Sequence, residues 1–310
     1  MNILGISEGF HDAAVCVLRN NKIIFASQAE RFSGVKNDKW IHSNQLPKTE
    51  KYKPDVIAYY EKPFRKNLRR LYSGQGWKKI TTNFDVSFGH HESHAAAGYY
   101  TAPFDECNVL VIDAIGEWDT MSIWKGSVQN GYMGQKTHTL KKLSSWKYPH
   151  SLGLLYSAIT QRIGLKPNED EYITMGMAAF GDPKYDLENQ LWENNHKGVG
   201  NIFPKARSED LAASVQDLYE RELLKLVEMC PHENLVIMGG CALNCVANSK
   251  IKGKNIWIMP AAGDAGSALG AAALVRKQKL EWEGPYLGTP ILNPVNISNV
   301  VQELLDNKVC

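Results

Sequence analysis

The sequence has 310 residues, 44% hydrophobic and 22% charged, with 35 Lys+Arg against 33 Asp+Glu and a net charge of +2. This is a globular composition with room for about two domains, and it excludes a disordered chain, a strongly basic nucleic-acid coat and an acidic tail. No apolar run reaches the ~18 residues of a membrane helix. Glu8, His11 and Asp12 come too early for a signal peptide, and the six cysteines lack disulfide spacing. A cytoplasmic protein without membrane contact is expected.

Ile3 to Ser7 and Ala13 to Leu18 read as short apolar strands, Asn20-Asn21 as a turn, and Lys22 to Ser27 as a third strand. Asp55 to Tyr60 is strand-like, Asn67 to Tyr72 belongs to a short basic helix, and His90 to Tyr100 is a helix opened by histidines. The opening pattern then returns. Asn2-Ile3-Leu4-Gly5-Ile6-Ser7 aligns without gaps on Asn108-Val109-Leu110-Val111-Ile112-Asp113. Each copy continues into a polar loop, a second strand (Thr120 to Trp124 in the later copy) and an Asn-rich turn, Asn130-Gly131 in the later copy. Such a repeat suggests a duplicated two-lobed fold, with two unrelated hairpins as the other reading.

Leu152, Leu155, Tyr156, Ile159 and Ile163 keep helical spacing after Ser151, and Gly164 is a natural stop. Leu211, Val215, Leu218, Tyr219 and Leu226 mark a longer helix with Ser208 as its cap. Two strand-loop-helix units follow. Leu235 to Met238 runs into Gly239-Gly240, and Ile256 to Met259 runs through Pro260 to Gly266 into an Ala-rich helix, Ser267 to Lys277. The class is α/β. Small residues such as Gly239, Gly240, Gly263 and Gly266 at these turns let a phosphate or adenosine approach the backbone at a helix N-terminus.

His90 and His94, four apart, project from one helical face and can share a metal. The run His91-Glu92-Ser93-His94 lacks one residue of the HExxH spacing, which argues against a metalloprotease. Asp113, at the end of an apolar strand, and Asp264, in a Gly-rich turn, are the carboxylates that complete a set for Fe, Mn or Zn. Each also reads blandly: surface or core histidines, a strand stop, a helix cap. His11-Asp12 is a candidate acid/base pair in the first hairpin loop, or simply exposed. Residues 61 to 80 hold seven cations against Glu61, a local balance of +6. Arg65/Arg69 and Lys66/Arg70 there read as a solvated helix face or as a phosphate-contacting surface. Cys241 and Cys245 read as small core residues.

Together these segments resemble the O-carbamoyltransferase family of nodulation and antibiotic-tailoring enzymes, whose N-terminal part is a Kae1-like domain of the actin/Hsp70/sugar-kinase superfold. The resemblance rests on Gly5-Ile6-Ser7 with His11-Asp12-Ala13-Ala14, Glu30-Arg31-Phe32-Ser33 with Lys36, and His90 through Ala96. It continues through Asp113 to Glu117, Ser151 to Tyr156, Met175 to Ala178, Gly239 to Cys245 and Pro260 to Gly270. It implies a first lobe over 1–107 with the metal helix, a second over 108–288 with the adenosine loops, and a tail, 289–310, similar to the start of a YrdC-like domain. It also implies that His90, His94, Asp113 and Asp264 hold a divalent metal, with Fe foremost and Mn or Zn as alternatives. Carbamoyl-adenylate, made from carbamoyl phosphate and ATP, is implied near Gly239, Gly240 and Asn244, with His11 near the acceptor hydroxyl.

The chain departs from the family pattern at Ile173, where a Lys is usual, at Ala179 for Pro and at Cys241 for Val. The YrdC-like signature is absent up to Cys310, so a separate adenylate-forming subunit is the expected partner. The basic stretch adds a nucleotide or modified DNA base to the candidate acceptors. A tRNA threonylcarbamoyl transferase component and a non-catalytic nucleotide-binding partner are the competing functions.

Overall fold

The computed structural model of the protein describes residues 1–80, 82–130, 136–288 and 302. The first half runs β1 (Asn2–Ser7), β2 (Ala14–Arg19), β3 (Lys22–Gln28), α1 (Glu30–Ser33), α2 (Leu46–Glu50), β4 (Val56–Tyr59), α3 (Pro63–Tyr72), β5 (Val86–Ser87) and α4 (His90–Thr101). The second runs β6 (Cys107–Ile112), β7 (Asp119–Asn130), β8 (Lys136–Lys147), α5 (Leu152–Arg162), α6 (Glu171–Met177) and α7 (Ser208–Glu228). It ends with β9 (Asn234–Met238), α8 (Cys245–Asn248), β10 (Asn255–Trp257) and α9 (Asp264–Arg276).

Each half forms a five-stranded sheet, ordered β3-β2-β1-β4-β5 in the first and β8-β7-β6-β9-β10 in the second. In both, three antiparallel strands are followed by two parallel ones. The two segments that align without gaps, β1 and β6, occupy the same central place. Burial of Ile3 through Ser7 and of all of β6 explains why both read as unbroken apolar runs: a strand covered on both faces has no polar side. The duplication read from the sequence is present.

Two helices exchange between the halves. α4 follows the first sheet yet packs on β6, β7 and β9, and α9 follows the second sheet yet packs on β1, β2 and β4. They also pack on each other, and their contact is built from small residues. A Cβ on Gly270 would lie 1.8 Å from the Ser93 carbonyl oxygen, so only glycine permits this approach. The N-termini of both helices thereby come to the ends of the central strands, where the candidate ligands lie.

Local differences from the sequence reading have simple causes. α9 begins at Asp264, not Ser267, with Gly263 at its N-cap. Ser208 is the first residue of α7 and makes no cap; Arg207 precedes it, and Glu209 and Asp210 supply first-turn negative charge to the helix dipole. Ser151 does cap α5, accepting from Leu154 N at 3.1 Å. β7 extends to Asn130, well past Trp124. The rest of the Asn130-Gly131 turn, and the 289–310 tail apart from Gln302, lie outside the described residues. Cys241 packs against the core, but Cys245 is exposed. Among the described residues, no helix is long and apolar enough to cross a membrane.

The basic stretch is not a uniformly solvated face. Pro63 starts α3, which turns Asn67 and Arg69 inward and leaves Phe64, Leu68, Leu71 and Tyr72 exposed. Arg69 donates to the Glu117 carbonyl at 3.2 Å and to Gln75 at 3.0 Å. Lys66 donates to both oxygens of buried Glu61, at 2.8 and 2.6 Å. Two of the four cations paired by spacing are thus held inside.

Candidate metal centre and adjoining cleft

His90 and His94 occupy the first two turns of α4. Both are buried, and their Nε2 atoms lie 3.1 Å apart. His91 points elsewhere, its Nδ1 2.8 Å from Ser122 Oγ, so the i, i+4 pair shares the face that the spacing demanded. Glu117 holds the start of α4, accepting from His90 N at 3.1 Å and Lys62 N at 2.6 Å.

Asp113 follows the last residue of β6, and its Oδ2 is 3.0 Å from His90 Nε2. Asp264 opens α9, with Oδ1 3.2 Å from His94 Nε2 and 3.4 Å from His90 Nε2. One donor atom from each of these four residues lies within 4.8 Å of every other. Thus the structure brings together all four residues singled out as metal ligands.

The donor set fits a divalent cation. Ligands sharing an ion at roughly 2.1 Å are separated by about 3.0–3.4 Å, as the His90–His94, His90–Asp113, His94–Asp264 and His90–Asp264 pairs are. Two lone-pair nitrogens facing each other at 3.1 Å need a proton or a metal between them. Burial opposes a proton on His90, yet Asp264, Asp113 and Glu61 outweigh it and lift the imidazole to about 9. Burial would raise Asp113 and Asp264, but the histidines hold both below the usual carboxylate range. Two imidazoles with two ionised carboxylates form a donor set that would suit Fe, Mn or Zn.

His11 stands at the rim. Its Nδ1 is 2.8 Å from Asp12 Oδ2, and its Nε2 is 3.9 Å from Asp264 Oδ2. Burial opposes its charge, but Asp264 and Asp12 prevail and raise it to about 9.

From this point a cleft of about 290 Å³ opens between the lobes. His11, Asp12 and Asp113 line one part of it, and Gly240, Cys241, Leu243 and Asn244 another. Tyr156, Tyr172 and Tyr219 give it aromatic walls. Gly239 lies behind the turn at φ +91°, where a Cβ would be 2.1 Å from the Ile112 carbonyl oxygen. Gly263 lies at the N-cap of α9 and Gly266 in its first turn; neither lines the cleft, and Gly263 backs onto Gly240. The Asn244 amide is engaged in the wall: it accepts from Ala247 N at 3.0 Å and exchanges two hydrogen bonds with Gln216. No Lys or Arg is among the described residues lining the cleft. Ile173 lies on α6 but does not line it, whereas Glu171, Tyr172 and Met175 do.

Sequence reasoning missed Glu61, Ser267, Tyr156 and Glu171. Only Glu61 carried a signal, as an acidic residue just beyond an apolar strand, the same context that marked Asp113.

The family described as "Carbamoyltransferase N-terminus" matches residues 50–273. An uncharacterised Synechocystis protein is 33% identical, over 94% of this chain and 61% of its own length. A 3'-hydroxymethylcephem-O-carbamoyltransferase of Streptomyces clavuligerus is 23% identical, over 84% of this chain and 57% of its own length. The chain therefore spans roughly three fifths of these relatives. The crystal structure of component A of the Acidaminococcus fermentans (R)-2-hydroxyglutaryl-CoA dehydratase superposes with a TM-score of 0.53 at 14% identity, covering 89% of this chain and 98% of that one. That likeness is one of fold, the duplicated actin/Hsp70/sugar-kinase type. By its matched sequence, the chain belongs to the carbamoyltransferase family.

Proposed function

We propose that the chain carries out the transfer half of an O-carbamoyl transfer, moving the carbamoyl group of carbamoyl-adenylate to an acceptor hydroxyl. The observation that carries this reading is the junction of the His90, His94, Asp113 and Asp264 cluster and His11 with a cleft whose described lining residues include no Lys or Arg. Such walls suit an adenylate with a single phosphate charge better than a triphosphate, whose charge calls for cations.

In the reaction, the acceptor oxygen bonds to the carbamoyl carbon, the carbon–phosphate-oxygen bond breaks, and AMP leaves. The hydroxyl proton passes to His11 Nε2 in the neutral form of the ring, whose share grows as pH rises toward 9, with Asp12 on Nδ1 setting the tautomer and orientation. His90, His94, Asp113 and Asp264 would hold the divalent metal, which supplies positive charge for the leaving phosphate when bound. The Gly240 amide donates to Asp113 Oδ1 at 3.4 Å and steadies that carboxylate at the same end.

The adenylate, in this reading, is made from carbamoyl phosphate and ATP on a separate YrdC-like subunit. The stripe Phe64, Leu68, Leu71 and Tyr72, exposed at helical spacing on α3, supports an interaction with another chain. Lys62, Arg65 and Lys79 beside it favour an anionic acceptor such as a nucleotide or a hydroxymethylated DNA base.

The test is reconstitution of the chain with a YrdC-like domain, carbamoyl phosphate and ATP. Hydroxymethyl-pyrimidine nucleotides, the corresponding DNA and an aminoglycoside are offered as acceptors, with tRNA plus threonine in parallel. Carbamoylated acceptor and stoichiometric AMP, formed only when both proteins are present, are expected. Threonylcarbamoyladenosine as the product, or nucleotide binding with no transfer, overturns the proposal.

A further inference from the structure

We infer that Glu61 is a positioning residue for the metal centre, taking the Nδ1 proton of His90 and so fixing the tautomer that leaves Nε2 as the donor atom. The inference rests on the metal reading of the His90 cluster.

Three observations carry it. His90 Nδ1 is buried and has no hydrogen-bond partner, and the atom facing it is Glu61 Oε2, 3.9 Å away. A shift of about 0.8 Å would bring the pair into hydrogen-bond range. The other histidine already has such support, since Ser267 Oγ lies 3.3 Å from His94 Nδ1. A histidine that gives one nitrogen to a metal ordinarily donates the other ring N–H to a carboxylate, carbonyl or water. Finally, Glu61 is only 1% exposed and follows Tyr60, whose ring packs on His90 at 5.4 Å between centroids. The end of β4 thus brackets the imidazole with a ring and a carboxylate.

Lys66 completes the arrangement by gripping both Glu61 oxygens. As a plain ion pair this would be a poor use of burial, because desolvating two charges commonly costs as much as their attraction returns. Arg65, the preceding residue on α3, is simply exposed. A buried carboxylate aimed at a ligand histidine gives the pair a purpose that its own energetics do not.

The experiment measures Zn²⁺ and Co²⁺ affinity of the full chain by competition with a chelator, together with the absorption bands of the Co²⁺ form. Glu61→Gln leaves a weaker acceptor, and about a 10-fold loss of affinity with shifted Co²⁺ bands is expected. The double variant Glu61→Leu/Lys66→Met removes the acceptor and leaves no unpaired charge, so it folds even if the single variant does not. About a 100-fold loss is expected for it. Wild-type affinity in the double variant would show that Glu61 serves only to neutralise Lys66, and would overturn the inference. A wild-type chain that takes up neither ion overturns the metal reading itself, and this inference with it.

Discussion

The Nε2 atoms of His90 and His94 face each other at 3.1 Å across one turn of α4, so a proton or a metal ion lies between them. Asp113 and Asp264 close around the same point. If the cluster holds the metal as proposed, replacement of either histidine should abolish tight binding. We expect His94→Ala to lower Zn²⁺ or Co²⁺ affinity by more than the roughly 100-fold reserved for supporting residues. Metal analysis of the dialysed protein measures this. Retention of stoichiometric metal in His94→Ala would show that the ligand set is a different one.

The crossing of α4 and α9 makes a second prediction. Gly270 packs against the Ser93 carbonyl so closely that an added methyl would fall 1.8 Å from its oxygen. That oxygen is backbone within a buried helix and cannot rotate away, so the helices must part. Gly270→Ala should destabilise the fold by about 3 kcal/mol, at the upper end of overpacking costs. Because the same helices carry His90, His94 and Asp264, metal affinity should fall with it. Urea unfolding with and without added Zn²⁺ separates the two effects; unchanged midpoints would mean that the helices are not held at this distance.

Much of this was legible in the sequence for physical reasons. The repeat of Asn2 to Ser7 at Asn108 to Asp113 was visible because β1 and β6 are both buried central strands, and burial on both faces forces the same apolar run. His90 and His94 were readable from helical spacing, and Asp113 from a carboxylate set against an apolar strand. Asp264 was singled out from its Gly-rich turn and from the family resemblance, while the return of α9 to the first sheet across 150 residues, which joins it to the cluster, is a tertiary feature that spacing does not encode. Ser267 was hidden for the same reason, and Glu61, though marked as an acidic residue beyond an apolar strand, meets His90 only through the packing of the β4 end on α4. On α3, charge counting misled: Lys66 and Arg69 are drawn inward by Glu61 and the Glu117 carbonyl, contacts that local spacing does not encode.

Lys279 offers a test by pH away from the metal centre. Its ammonium donates to the carbonyls of Tyr99 and Ala102 at the C-terminal end of α4, a favourable place for a cation. Burial nevertheless dominates and lowers it from 10.5 to about 8. Between these values the unfolded chain holds more protons than the folded one, so this residue's contribution to stability rises with pH across the window. Wild type should therefore gain stability relative to Lys279→Met from pH 8 to 10.5. Urea midpoints for both proteins at the two ends measure the difference, and a constant gap would show that Lys279 is not desolvated.

His11 separates chemistry from metal binding. Its Nδ1 is tied to Asp12 at 2.8 Å, while its Nε2 stands 3.9 Å from Asp264, near the cluster but outside the four ligands. As the base of the proposed step, His11 should be worth about 10²–10⁴ in transfer rate. His11→Gln is expected to lose that factor in the reconstituted reaction while keeping its metal within twofold of wild type. Asp12→Asn preserves the ring but removes the charge that fixes its tautomer, and should lose less. If His11→Gln instead loses metal in proportion to activity, His11 belongs to the ligand set and the proton must go elsewhere. If it loses neither, the acceptor approaches from another side of the cleft.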